Sequence, residues 1–236
     1  MITVATVYRS GGDFTAADVG ALCRAVRVHL PVAHRFVCLT DQPKEVEALG
    51  LQIEAIPLKY NWPGWWAKFE MYGLPWDGLV IYWDLDSVPC DDMTPFTEYT
   101  GERAIIRDFF RDDMVQTCMW IWRGNALRPV WDALMENADA YIADYTRRRR
   151  RSDHFTRMFC EPADRIQDLW PGAAVSFKVH CLGKPRITEI SQYRTLPGKI
   201  PAGARVVCFH GYPRPRDLPA DHWFWQNRGV QLARAA

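Results

Sequence analysis

The alternation of strand and helix signals over the first 86 residues most constrains how this 236-residue chain can fold. ITVATVY (2–8) is a β-branched run ended by Ser10, Gly11 and Gly12, so it reads as a strand entering a loop. Thr15 or Asp13 can cap the helix that follows. Val19, Leu22, Val26 and Leu30 share one face of it, and Pro31 stops it. RFVCLTD (35–41) and LQIEAIPL (51–58) read as two further strands, with a short helix between them ended by Gly50. GWWAKFEMYGL (64–74) reads as a helix, and GLVIYWDLD (78–86) as an apolar strand whose last residues are acidic. Strands that alternate with helices predict an α/β fold with right-handed crossovers and a mostly parallel central sheet. Such sheets bind ligands at the carboxyl ends of their strands, which is where Asp84 and Asp86 fall.

The second half is less regular. RAIIRDF (103–109) and VQTCMWIW (115–122) read as strands, and residues 128–145 and 153–160 as helical. RVVCFHGYPRP (205–215) is a strand running into a Gly/Pro loop, and the tail after it holds a short helix. Arg147 to Arg151 are five arginines in a row. They read as a solvated loop, the sharper option being contact with an anionic acceptor. No repeat or linker divides the chain, so residues 1–236 are expected to form one domain.

Composition removes several classes of function. With 29 Lys+Arg against 28 Asp+Glu, the net charge of +1 gives no electrostatic reason to expect nucleic acid as a partner. No apolar run reaches the ~18 residues of a membrane-spanning helix. The N-terminus lacks the basic-then-apolar pattern of a secretory signal. The seven cysteines include no CxxC pair and several lie in apolar runs, so they read as free thiols of a reducing compartment, implying a cytoplasmic location. Eleven tryptophans supply core volume for the most part, and flat platforms for sugars or bases where exposed.

Three constellations carry chemistry. Around VIYWDLDSV, the five apolar residues 79–83 deliver Asp84 and Asp86 to a strand end. Residues i and i+2 of an extended segment point the same way, so two carboxylates there suit a hard divalent cation, magnesium or manganese, which in turn would hold a diphosphate. Two solvated acids are the plainer alternative. In CFHGYPRP, His210 can offer an imidazole to a metal. Gly211 lets backbone approach a phosphate, and Arg214 can pair with phosphate oxygens. Lys68, in WWAKFE, either contacts the donor phosphate or sugar or is a surface lysine lying along an amphipathic helix.

The order ATVY, FVCLTD, WWAKFEMYGL, VIYWDLDSV and CFHGYPRP resembles a nucleotide-sugar glycosyltransferase of the GT-A fold, near the glycogenin and lipopolysaccharide galactosyltransferase group. The resemblance spans residues 2 to about 217 and implies a single Rossmann-like GT-A domain. It implies Asp84, Asp86 and His210 as ligands of Mn2+ or Mg2+, with Asp84 also near the ribose. It places Gly211 and Arg214 on the diphosphate, Lys68 on the donor, and Thr6, Val7 and Tyr8 on the strand that holds the uracil nucleoside. The implied donor is a UDP-sugar, and the partner an acceptor of glycan, lipid or protein type. Gln116 stands where the family commonly has Asn, and Ser152-Asp153-His154 where it has Asp-Gln. Asp153 keeps the carboxylate beside the donor sugar, and His154 replaces the amide. SFKVHC (176–181) is similar to a segment of bacterial members, implying a bacterial or phage enzyme. Two other readings stay open: a sugar-nucleotide binder without turnover, and a phosphotransferase of the haloacid dehalogenase type. The latter's DxDx[TV] motif is similar to Asp84–Val88 but normally opens the chain's first strand.

Overall fold

The computed structural model describes residues 1–147, 152–184 and 189–226. The arginines at 148–151 and the tail from 227 lie outside the described residues. The chain runs β1 (Ile2–Tyr8), α1 (Ala16–His29), β2 (Arg35–Thr40), α2 (Pro43–Glu47) and β3 (Ile53–Pro57). A 3-10 helix (Gly64–Gly73) then leads to β4 (Leu79–Trp83), β5 (Ser87–Pro89), α3 (Thr94–Thr97), β6 (Arg103–Arg107) and β7 (Val115–Arg123). Three helices follow, α4 (Arg128–Met135), α5 (Ala138–Arg147) and α6 (Ser152–Phe159). The later elements include β8 (Asp164–Arg165), α7 (Ile166–Leu169), β9 (Ala174–Ser176), β10 (Val206–Cys208) and α8 (Trp223–Gln226).

Seven strands form the main sheet in the order β3-β2-β1-β4-β7-β6-β8. Four of its pairings are parallel, as the strand–helix alternation predicts; β7 is antiparallel to both β4 and β6. α1 is entered through Thr15, whose N–H donates to the Asp18 carboxylate at 2.8 Å, so Thr15 and not Asp13 caps it. Its buried face, Val19, Leu22, Cys23 and Val26, packs on one side of the sheet with Val4, Phe36 and Ile81. The other side is aromatic: Trp66, Phe69, Tyr72, Trp76, Trp120 and Trp122 pack with Val80 and Tyr82. Most tryptophans are core residues, as composition suggested; Trp65 is 60% exposed. All seven cysteines are buried free thiols.

Three elements differ from expectation. Residues 64–73 wind as a 3-10 helix, so Trp65 and Lys68, three apart, share one side. The helical stretch 128–145 is two helices, broken after Met135. The strand 78–86 stops at Trp83, and Ser87 N–H closes a turn onto Asp84 C=O at 2.9 Å. The DLD segment is therefore a turn and not an extended i, i+2 pair.

That turn passes the chain from the main sheet to a second sheet of order β5-β10-β9. β5 pairs with β10 in antiparallel register, Ser87 opposite Cys208 and Val88 opposite Val207. Continuing the register sets Phe209 opposite Asp86, and Phe209 N–H donates to Asp86 C=O at 3.0 Å. His210 and Gly211 are thereby carried to the acidic turn from more than 120 residues away.

Candidate active site

A cleft of about 330 Å³ opens at the carboxyl ends of β1 and β4, where an open α/β sheet binds its ligands. Asp84, Asp86, Lys68, Gln116, Asp153, His210, Gly211, Arg214 and Val7 all line it. Residues far apart in sequence thus converge. Thr6 and Tyr8 do not bring their side chains there. The Thr6 hydroxyl is buried and donates to Trp83 C=O at 2.8 Å, and the Tyr8 hydroxyl donates to Glu45 at 3.1 Å. Burial and then Glu45 push the Tyr8 pKa up to about 12.

Each acid of the turn has a cation. Lys68 Nζ donates to Asp84 Oδ1 at 2.7 Å and to Thr117 Oγ1 at 3.2 Å. Lys68 is 5% exposed, so the surface-lysine alternative falls. Burial opposes its charge, but Asp84 and Asp153 outweigh burial and hold its pKa above the ordinary lysine value. The Tyr82 hydroxyl also donates to Asp84. Arg214 bridges Asp86 and Asp13, the latter at 2.9 Å, and lies over the Phe14 ring. Gly211 N–H reaches Asp86 Oδ2 at 3.4 Å. Burial, and then the like charge of Asp84, push the Asp86 carboxyl above the ordinary aspartate value against the pull of Arg214.

His210 is held from below. Its Nε2 meets Ser176 Oγ at 2.5 Å, and Lys178 Nζ donates to its carbonyl at 3.2 Å. Phe109 stacks on the ring at 5.4 Å. The backbone turns sharply here: His210 has φ 38° and Gly211 φ 95°, the latter in the left-handed region that glycine adopts without cost.

β7 supplies the opposite wall. Its pairing with β6 slips between Ile105, opposite Trp120, and Ile106, opposite Gln116, so residues 117–119 bulge out of register. Bulges re-aim side chains beside functional sites. Here Thr117 turns its N–H and hydroxyl to Asp153 Oδ1, at 3.0 and 2.5 Å. Asp153 lies in the first turn of α6, and the carboxylate thus reaches across to β7 instead of capping its own helix.

Gln116 is 7% exposed, and its Oε1 accepts no hydrogen bond among the described residues. An unsatisfied buried carbonyl costs about 1–3 kcal/mol, so its presence on a cleft wall points to a ligand hydroxyl or amine as partner. Gln116→Met is expected to raise the melting temperature by roughly 2–4 °C per kcal/mol recovered, measured by thermal denaturation. A lower melting temperature would show that the amide serves the fold.

Asp84, Asp86 and His210 offer two carboxylates and an imidazole, which fit a small divalent cation in charge and donor type. Among the described residues, no three His, Cys, Asp or Glu side chains already form a metal cage. The two carboxylates are engaged by Lys68 and Arg214, which a cation would have to displace to reach them.

Sequence reasoning missed Asp13, Thr117 and Ser176 as partners of site residues. Asp13 had a signal only as a helix cap; its pairing with Arg214 spans 201 positions. Trp65, quoted with Lys68, proves to be the exposed aromatic of the cleft.

The fold is shared with solved glycosyltransferases. The galactosyltransferase LgtC, crystallised with donor and acceptor sugar analogs, matches over 98% of this chain and 95% of its own, with TM-score 0.66 and 14% identity. The glycosyltransferase GlyE of Streptococcus pneumoniae matches over 99% of this chain and 60% of its own, with TM-score 0.62 and 10% identity. The bifunctional glycosyltransferase WbbM matches over 100% of this chain and 50% of its own, with TM-score 0.54 and 11% identity. Identities this low establish a common fold. No family model matches the chain, and no curated protein matches it in sequence.

Proposed function

We propose that the protein is a glycosyltransferase that moves a sugar from a UDP-sugar to an acceptor hydroxyl, with retention, using manganese or magnesium. One observation carries the reading: a cleft at the carboxyl end of the sheet gathers two carboxylates, each with a buried cation, beside a wall that holds Gln116 and Asp153. The likeness in fold to glycosyltransferases supports it over the phosphotransferase alternative, whose acidic motif normally opens a first strand.

Asp84, Asp86 and His210 would hold the cation, which when bound supplies positive charge to the diphosphate. Lys68 and Arg214 add the protein's own positive charge to that group as it leaves. In the transfer, the bond from the anomeric carbon to the β-phosphate oxygen breaks and a bond to the acceptor oxygen forms. The acceptor proton passes to the leaving phosphate oxygen, so no dedicated protein base is required, and the products are UDP and the glycoside. Gln116 and Asp153 accept hydrogen bonds from donor-sugar hydroxyls. The exposed face of Trp65, at the mouth, suits a sugar ring of the acceptor. The acceptor is a glycan, lipid or protein. No helix among the described residues is long and apolar enough to cross a membrane, and the seven free thiols support a cytoplasmic setting.

The test is UDP release from a panel of UDP-sugars in the presence of manganese. Release with one or more donors is the expected result. UDP binding with no release from any donor identifies a binder without turnover. Manganese is expected to support UDP binding better than magnesium, because an imidazole in the ligand set shifts preference away from the harder ion. Calorimetric titration with each metal and with EDTA checks this, and equal affinity in all three removes the metal from the reading.

A further inference from the structure

The cleft is lined by four carboxylates, of Asp13, Asp84, Asp86 and Asp153, against three permanent cations, of Arg9, Lys68 and Arg214. With His210 neutral, 3 − 4 leaves a net charge of −1. None of the three cations faces the cleft unspent. Lys68 is on Asp84, Arg214 is on Asp86 and Asp13, and Arg9 lies 3.6 Å from Asp41. Asp86, Lys68 and Arg214 are buried, and a buried charge is costly without a partner. A bare diphosphate therefore meets a negative cleft whose cations are occupied. A bare divalent cation meets carboxylates that already have counter-charges. Brought together, the cation can satisfy Asp84 and Asp86 while the phosphate oxygens satisfy Lys68 and Arg214. Every buried charge then keeps a partner through the exchange.

We propose that Lys68 and Arg214 are exchangeable counter-ions of the acidic turn, so that the cleft takes a divalent cation and a nucleoside diphosphate as a pair and holds each weakly without the other. This rests on reading the cleft as a nucleotide-diphosphate site. Arg214 is placed for the swap because Asp13 keeps hold of one arm of the guanidinium at 2.9 Å while the other leaves Asp86. Asp13 is fixed in turn by the Tyr212 hydroxyl at 2.7 Å. Lys68 keeps Thr117 Oγ1 at 3.2 Å and its carbonyl at 3.3 Å when it leaves Asp84. Each cation thus has a pivot that does not depend on the acid it gives up.

The experiment titrates the full-length protein with Mn2+ alone, UDP alone, and each in the presence of the other, by calorimetry and by the Mn2+ paramagnetic resonance signal. Formation of the Mn2+–UDP complex in buffer is measured separately and subtracted. In the wild type, saturation with one ligand is expected to tighten the other by about tenfold or more, equally in both directions, since coupling is reciprocal. Arg214→Gln removes the competitor for Asp86. With this variant Mn2+ alone is expected to bind several-fold tighter than in the wild type, while the gain from adding UDP shrinks. Lys68→Gln is expected to act in the same direction through Asp84, and stands in if Arg214→Gln does not fold. The opposite signs of these effects, tighter for the metal alone and weaker for the pair, do not follow from a merely damaged site. Unchanged or weaker Mn2+ binding in the variants overturns the exchange. So does a wild type that binds UDP equally with and without metal, although the nucleotide reading then stands. A wild type that binds neither UDP nor Mn2+ in any combination overturns both.

Discussion

Asp153→Asn is expected to lose sugar transfer by on the order of 10²–10³-fold, the usual cost of removing one preorganised electrostatic contact to a transition state, while binding UDP as tightly as the wild type. The substitution is informative because of what it leaves intact. Asp153 Oδ1 accepts from the Thr117 N–H and hydroxyl, and an asparagine carbonyl in the same place accepts both. The bulged wall of β7 and the seat of Lys68 on Thr117 are then preserved. What disappears is one negative charge facing the cleft where positive charge develops at the anomeric carbon. UDP carries no sugar, so its affinity does not register the loss. Calorimetry of UDP with Mn2+ and a UDP-release assay on the same sample test both halves. Joint loss of affinity and turnover would place Asp153 in the shell of the metal or nucleotide. Loss of neither would leave it as a structural tie between α6 and β7.

The parallel half of the sheet is legible because its signals are local. ITVATVY, RFVCLTD and LQIEAIPL are β-branched runs ended by glycine or proline punctuation, and each forms a strand within two residues of the expected limits. The stretch 115–122 is equally legible as a strand, and it occupies β7. Its antiparallel place between β4 and β6 is not, because periodicity reports that a strand exists and not which neighbours it takes. The slip of register at Ile105 and Ile106 is also unreadable, since it depends on the partner strand.

The same division runs through the site. Asp84 and Asp86 stand out because an apolar strand delivers them, and His210 because a strand ends one residue before Phe209. Their state is set by contacts the sequence does not display. Arg214 reads as a phosphate ligand in the CFHGYPRP segment, yet in the structure it spans Asp86 and Asp13. Alternation suggested that Asp84 and Asp86 project together from an extended strand. The turn closed by Ser87 gives them different partners, Asp84 taking Lys68 and Asp86 taking Arg214, while they stay close enough for Asp84 to raise the Asp86 pKa. The cause is the second sheet, because β5 must leave the plane of β4 to pair with β10.

Asp86→Asn is expected to abolish metal-dependent UDP binding, by two orders of magnitude or more, and yet to leave the metal-free protein as stable as the wild type or more so. One metal-ligating carboxylate lost accounts for the first half, since an amide supplies no charge to a divalent cation. The second half follows from the position of the carboxyl. Burial and the neighbouring Asp84 hold the Asp86 pKa above its ordinary value, so the folded state prefers the protonated form more than the unfolded chain does. A group shifted in that direction contributes stability at low pH that is lost as pH rises through its folded-state pKa. The wild type therefore forfeits this contribution from about pH 4 upward, whereas asparagine has no proton to lose. The amide oxygen still accepts from Arg214, which also keeps Asp13 at 2.9 Å, so the guanidinium is not left alone. Melting curves of both proteins across pH 4 to 8 should show the variant level with the wild type at the acid end and level or higher at neutral pH. A deep loss of stability at pH 7 would mean that the Arg214–Asp86 pair holds β4 to β10 and that its place in the fold outweighs its place in the cleft. Equal UDP affinity with manganese in the variant would remove Asp86 from the metal altogether.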